Sequence, residues 1–447
     1  MKPGWIALCF LFLLTALASP GFGDRQPPPI DIEKEVEPMP LAIVPFEVEG
    51  RIDPQWRTQL HEVLQYDLEF SGYFSLLPNR GQIEEIERLD QRTGQINYPA
   101  WLDIGADALV KGKISPGAGG AIEAELRVYY CKGSYRIIGK RFQTESRFFR
   151  HLVHRLSDEV VFRLTGNPGI ARTRIAFSYE TLDKGQLLKE LYLIDYDGHP
   201  DSLRRITYDQ NIVLMPAWSP DGREIAFTSY AQKNPDLFAL QLDSGQRRTL
   251  SSFPGLNNSP SWHPTGKNLV LVLSKDGNSE LYRLDLRGGR PTRLTFDRNI
   301  DSSPDYSPDG ERIAYTSDRG LTVKVYVMDA DGQNSRRISP AQGWYDMASW
   351  APWGDELAFM GSRDTSRRFD IFLAGSDGSN LRQLTRNAGS NESPCWSPDG
   401  RHILFTSNRE GNWNLYTMDR KGQRVRRITY LPGNCYSPDW SPIVESR

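Results

Sequence analysis

An internal repeat constrains this chain more than any other feature. Trp218-Ser219-Pro220-Asp221-Gly222 leads into Ile225-Ala226-Phe227-Thr228-Ser229, and the aromatic position returns at Trp262, Tyr306, Trp350, Trp396 and Trp440, at intervals of 44 residues apart from one of 46. A unit of that length cannot bury a core alone, and in a run of short apolar segments and Gly/Pro turns it reads as one blade of a β-propeller. Each unit resolves into a strand ending in the aromatic residue, a Pro-Asp-Gly turn, an apolar strand, a third strand such as residues 414–418, a second turn, and a fourth strand such as 425–429. Proline presets φ in the first turn and glycine admits positive φ there, while the aromatic residue and the alternating Ile, Ala and Phe are placed to pack between blades. The ends set the number of blades. Arg174-Ile175-Ala176-Phe177-Ser178 matches a second strand with no first strand ahead of it, whereas Pro438-Asp439-Trp440-Ser441-Pro442 is a first strand on its own. The C-terminal strand is therefore expected to complete the first blade, closing a ring of six and hiding edges that would invite aggregation.

A different kind of sequence precedes the repeat. Lys2, apolar residues 5–17 and Ala16-Leu17-Ala18, with Gly21-Phe22-Gly23 as a second cleavage candidate, read as an export signal over residues 1–23. The run is short for a membrane span and no other stretch approaches ~20 apolar residues, so no direct membrane insertion is expected. Residues 24–37 combine Pro27-Pro28-Pro29 with Asp31, Glu33, Glu35 and Glu37, which cannot build a core, and read as a flexible leader. Order is expected to begin with an apolar strand at 41–46. A helix follows, capped by Asp53 with Pro54 at its first position, and carries Trp56, Leu60, Val63, Leu64 and Leu68 as far as Gly72. Strands near 109–114, 122–130 and 136–142 and a second amphipathic helix over 146–164 complete the pattern. The expected organisation is an α/β N-terminal domain over 38–165, a linker over 166–173, and an all-β six-bladed propeller over 174–447.

Lys and Arg number 54 against 56 Asp and Glu, so the net charge of −2 offers no field to attract nucleic acid. The sequence holds no Gly-x-Ser-x-Gly, His-Glu-x-x-His or Cys-x-x-Cys motif and no phosphate-cradling glycine loop. Only His151 and His154 share helical spacing, and they read as a solvated helix face rather than a metal site. The Asp-Gly pairs at 197–198, 331–332 and 377–378 resemble calcium loops but lack the later ligands, and they fall where the repeat needs a hairpin turn. No cofactor and no metal is expected. Beyond the signal, Cys131, Cys395 and Cys435 remain; the last two lie roughly one repeat apart, which permits a disulfide without requiring it. The segments just before each aromatic strand gather on one face of a propeller, around its channel. Leu214, Met215, Leu256, Asn257, Asn258, Ile300, Asp301, Trp344, Tyr345, Asp346, Asn391, Glu392 and Tyr436 stand there, and apolar anchors on a polar rim are the make-up of a protein interface.

The order of these parts resembles the TolB family, periplasmic components of the Tol-Pal envelope system of Gram-negative bacteria. The resemblance rests on the signal, the acidic leader, Gly105-Ala106-Asp107-Ala108-Leu109-Val110-Lys111-Gly112, the six Trp-Ser-Pro-Asp-Gly-type units and the closing Trp440-Ser441-Pro442, and it covers nearly the whole chain. It implies a non-catalytic, monomeric periplasmic scaffold whose loop face binds the lipoprotein Pal and whose leader binds TolA, supporting outer-membrane integrity and constriction during cell division. Ile30, Asp31, Ile32, Glu33 and Val36 would carry the TolA contact, and order or disorder of the leader would couple the two events. Leu256 stands where the matching family stretch can carry histidine. The rival classes are a propeller enzyme, either the propeller portion of a prolyl-oligopeptidase-like hydrolase or a lyase of acidic sugars, and a glycan-binding propeller. The hydrolase calls for a downstream domain, the lyase for a histidine-based metal site, and the glycan binder for a small molecule buried in the channel.

Overall fold

The computed structural model describes residues 37–320, 322–364 and 368–444; the export signal and leader residues 24–36, with Ile30, Asp31, Ile32, Glu33 and Val36, lie outside them. The N-terminal part contains β1 (Met39–Ile43), β2 (Glu47–Val48), α1 (Pro54–Phe70), β3 (Phe74–Leu76), α2 (Arg80–Thr93), α3 (Tyr98–Asp103), β4 (Ala108–Pro116), β5 (Ala121–Tyr130), β6 (Tyr135–Glu145) and α4 (Phe149–Thr165). They form one mixed sheet in the order β3-β1-β4-β5-β6, with β2 beside β4. Asp53 caps α1 by accepting from the Gln55 amide at 2.9 Å. Leu60, Val63, Leu64 and Leu68 of α1 then pack with Leu152, Leu156 and Val160 of α4 over one sheet face. The other face is covered by Ile83 of α2 and Trp101 of α3, against Ala42, Val44 and Leu109. Helix α2 escaped the sequence reading because it is largely polar and Ile83 is its only buried apolar residue. Charge holds it instead: Lys111 of β4, itself buried, pairs with Glu87 at 2.5 Å and Asp90 at 3.4 Å, and Asp90 also accepts from the Trp101 indole at 2.9 Å.

Residues 174–440 form six four-stranded antiparallel sheets, arranged as a six-bladed propeller. In the first blade the inner strand is Asn434–Trp440, paired with Arg174–Asp183; the inner strands of blades two to six are Val213–Trp218, Asn257–Trp262, Asp301–Tyr306, Trp344–Trp350 and Asn391–Trp396. All six shift register at the same place, and the residue there has a left-handed backbone: Met215, Ser259, Ser303, Met347, Ser393 and Ser437, with φ between 46° and 55°. A non-glycine residue at positive φ costs roughly 1 kcal/mol or more, so its recurrence in every blade marks the bulge as part of the architecture. The aromatic residues do more than pack. Trp262, Trp350 and Trp396 each donate an indole N–H to the carbonyl of Ala217, Asp305 or Ser349 in the preceding blade, at 3.0–3.2 Å. Truncating Trp440 to alanine is expected to cost about 3–5 kcal/mol, as for other buried tryptophans. Removal of residues 434–447 should abolish cooperative melting and drive aggregation, read by calorimetry and size exclusion, because it bares the Arg174–Asp183 edge.

The N-terminal domain sits at the turn end of blades one and six. Arg401 donates to the carbonyls of Ser71 and Gly72 at 2.9 and 2.8 Å, a cation placed at the C-terminal end of α1, and lies 4.0 Å from the Tyr73 ring centre. Phe70 stacks on His402 with ring centres 4.2 Å apart. Beneath these contacts is a buried polar network. Asp67 of α1 accepts from Tyr196 Oη at 2.5 Å and Ser157 Oγ at 2.6 Å and lies 2.8 Å from His154 Nδ1, while Asp197 pairs with Arg150 and lies 3.8 Å from His154 Nε2. His154 is therefore not on a solvated helix face; His151 is, but its partner turns into the domain interface. Burial disfavours imidazolium there, yet the Asp67 and Asp197 carboxylates outweigh it and raise the His154 pKa above 6.5. The charged pair is thus fully formed below that value and is lost as pH rises through the folded-state pKa. Urea unfolding should show the interface weakening as pH rises above 6.5 and through the raised folded-state pKa. Asp67→Asn should flatten this dependence while costing roughly 3–5 kcal/mol, the penalty for breaking a buried pair.

Candidate functional site

The end of the propeller away from the N-terminal domain is formed by the loops entering the inner strands and by the turns between second and third strands. Strand periodicity sorts the residues there. The first residue of blades two to four and six, and its register equivalent in blades five and one, points into the blade: Val213, Asn257, Asp301, Tyr345, Asn391 and Cys435 are all buried. The next residue faces outward, giving Leu214, Asn258, Ser302, Asp346, Glu392 and Tyr436, all partly exposed. The third is the bulge residue, and it lines the channel. Asn257, Asp301, Tyr345 and Asn391, expected as contact residues, are thus buried beneath the face rather than presented on it. Asn257, for example, fastens the loops around it through Ser251, Phe253 and Gly255.

Of the remaining predicted residues, Ile300 is 52% and Trp344 40% exposed, and Leu214, Met215, Leu256, Asn258, Asp346, Glu392 and Tyr436 are intermediate. Tyr436 is held rather than free: Lys189 Nζ lies 4.2 Å from its ring centre and Trp413 packs beside it at 5.9 Å. Burial and the nearby Asp346 hold the Glu392 carboxyl above its usual range. Sequence reasoning missed a projection. Strands Arg174–Asp183 and Gln186–Asp195 run four residues beyond those of the other blades and turn through Lys184 and Gly185, both at positive φ as a type I′ hairpin requires. Its tip carries the cross-strand pair Leu182 and Leu187, 73% and 46% exposed. The signal was present as Leu182 and Leu187 flanking Asp183-Lys184-Gly185-Gln186.

A channel cavity of about 300 Å³ is lined by the bulge residues and by Asp305 and Asp439 from opposite blades. Burial pushes these carboxyls up to about 6 and about 7. Each already serves the ring: Asp439 accepts from the Trp218 amide at 2.6 Å, and Asp305 from the Trp350 amide at 3.0 Å. Cys395 and Cys435 are buried free thiols, so the disulfide that their spacing permits is not formed. Among the described residues, one group has the make-up of a metal site: Asp67, His154 and Asp197. The two carboxylates address opposite nitrogens of one imidazole and Arg150 already holds Asp197, so the group is an ion-pair network at the domain interface.

Two family models match this architecture, one described as the TolB amino-terminal domain over residues 29–131 and one as the TolB beta propeller domain over residues 161–444. Among curated relatives, the Tol-Pal system protein TolB of Nitrosococcus oceani is 33% identical over 223 residues, 49% of each chain. Its counterpart from Anaeromyxobacter dehalogenans is 33% identical over 241 residues, 54% of each chain. The chain spans about half the length of these curated relatives. The crystal structure of TolB from Acinetobacter baumannii superposes with a TM-score of 0.78 at 25% identity, covering 91% of this chain and 98% of that one. Kuenenia stuttgartiensis hydrazine synthase shares the fold alone, with a TM-score of 0.51 at 16% identity over 60% of this chain and 47% of that one. With the propeller model alone covering more than half of its residues and a second model covering the domain before it, the chain belongs to the TolB family.

Proposed function

We propose that this protein is a non-catalytic periplasmic scaffold of a Tol-Pal system, joining the lipoprotein Pal at the propeller's loop face to TolA at the leader, and so supporting outer-membrane integrity and constriction during division. Membership of the TolB family, with curated relatives named Tol-Pal system protein TolB, supports the system assignment. No helix among the described residues is long and apolar enough to cross a membrane.

The observation that carries the reading is the separation of the two ends. The N-terminal domain occupies the turn end of blades one and six, whereas Leu214, Ile300, Trp344 and Tyr436 stand at the other end, with Asp346 and Glu392 among them. Pro38, next to the leader, lines a cleft of about 700 Å³ between the domains, together with Arg424 and Arg426 of blade six. Two partners held at these places would not compete for surface.

Binding of purified Pal and of the TolA C-terminal domain, measured by calorimetry on the mature chain, tests the reading. Trp344→Ala with Leu214→Glu should weaken Pal about thirty-fold or more, the effect of removing ~2 kcal/mol at an interface anchor, and leave TolA unchanged. Deleting residues 24–37 should do the reverse. If the folded mature chain binds neither protein, the scaffold reading fails and a glycan-binding or enzymatic propeller becomes the hypothesis to test.

A further inference from the structure

The blades repeat one backbone, so a side chain that breaks the pattern at a fixed position shows what that position demands. At the head of the third inner strand, buried Asn257 donates its amide to the carbonyls of Pro235, Phe253 and Gly255 at 3.1, 2.7 and 3.1 Å. Its Oδ1 accepts from Ser251 Oγ at 2.6 Å and from the Phe253 amide at 2.9 Å. In the sixth blade Asn391 donates to Phe369 O at 3.5 Å and to Asp370 at 3.3 Å, and accepts from Arg409 at 2.7 Å. The fourth blade has Asp301 instead. It is 0% exposed, and neither carboxylate oxygen has a hydrogen-bond partner among the described residues.

The surroundings are those of Asn257 moved on by one repeat. The carbonyls of Ser279, Asp297 and Asn299 replace those of Pro235, Phe253 and Gly255. Asp301 N donates to Ser279 O at 3.0 Å, and the Asn278 amide donates to both Asp297 O and Asn299 O. The Asp297 carboxylate and the hydroxyls of Thr295 and Ser317 are close enough to act on the Asp301 carboxyl, and Thr295 Oγ1 also donates to Glu280 at 2.6 Å. The Arg319 guanidinium is near but makes no ion pair with it; it lies over the rings of Tyr315 and Tyr326, at 5.4 and 4.1 Å from their centres. An amide suits a nest of carbonyls because it donates, whereas a carboxylate only accepts. A buried carboxylate beside carbonyls and a second carboxylate needs a positive charge or a proton. Burial pushes the Asp301 carboxyl up to about 6.

We propose that Asp301 and Asp297, with the loop carbonyls and the hydroxyls of Thr295 and Ser317, form a binding site for a hard divalent cation, calcium being the one suited to an irregular all-oxygen shell. The cation fastens loop 297–301, which presents Ile300 on the outer face. This assignment does not depend on which partner the face binds.

Thermal melts and calorimetric titration of the full mature chain, stripped with a chelator and then given CaCl₂ or MgCl₂, provide the test. Calcium should raise the melting temperature by a few degrees, with a Kd at or below the order of 10⁻³ M, and magnesium should do less. Asp301→Asn copies blades three and six, so it should melt without calcium at or above the stripped wild type and should lose the calcium response. Asp305→Asn and Asp439→Asn should keep it. The site is overturned if wild type shows neither heat nor shift, if Asp301→Asn responds like wild type, or if the response disappears only with the channel variants. It is equally overturned if stability depends on pH around 6 through Asp301 while calcium has no effect, since a proton then fills the role.

Discussion

Pairing of the C-terminal strand with the first blade is the interaction on which the rest of the propeller depends. It joins residues 254 positions apart, as where Asn434 meets Glu180. The entropic cost of closing so long a loop grows only logarithmically with length, whereas the return includes a full inner strand and the contacts on both sides of it. Those contacts are specific. The Trp440 indole donates to Thr173 at 2.8 Å, the Ser441 amide to Arg174 O at 2.8 Å, and the Asp439 carboxylate receives the Trp218 amide from the next blade. One strand therefore completes the first blade and fixes the spacing of its neighbours.

The same logic settles how the channel is used. In three of the blades the residue before the aromatic position reaches sideways to the next inner strand: Ser261 accepts from the Tyr306 amide at 3.1 Å, Asp305 from Trp350 and Asp439 from Trp218. Two acidic residues facing a cavity invite comparison with a catalytic pair, and their raised pKa values add to the impression. Here the raised values follow from burial at blade contacts, and the groups are already committed to backbone donors. The channel carboxylates are joints of the ring.

The repeat made the propeller legible because its signal, an aromatic residue with proline two positions on, is local and recurs six times. Blade number and closure followed from counting its ends. Helices α2 and α3 were not legible, since α2 is held by the Lys111–Glu87–Asp90 charges rather than by an apolar stripe. His154 was misread for a related reason: helical spacing with His151 says nothing about the Asp67 and Tyr196 that bury it from elsewhere in the chain. On the loop face, composition picked out segments but could not tell their exposed side chains from their buried ones. Applying the two-residue strand period back from each aromatic residue would have sent Asn257, Asp301, Tyr345 and Asn391 inward and brought Ser302 to the surface. The irregular bulge at Met215 and its equivalents hides that count, because it shifts the phase within each strand.

Rigid, closed rings pass little change of shape from one face to the other, except where a single element serves both ends. The strand Asn434–Trp440 is such an element. Tyr436, between Lys189 and Trp413, stands at its outer end. At its inner end the Trp440 ring lies 6.4 Å from His402, which stacks on Phe70 at the end of α1, one helical turn from Asp67. Packing continuity alone does not make a signal; coupling requires an element with two arrangements that both sites bias. The Asp67–His154–Tyr196 network draws its members from both domains, and its charge changes with one proton. The strand therefore packs continuously from the outer face to the domain interface that holds this network.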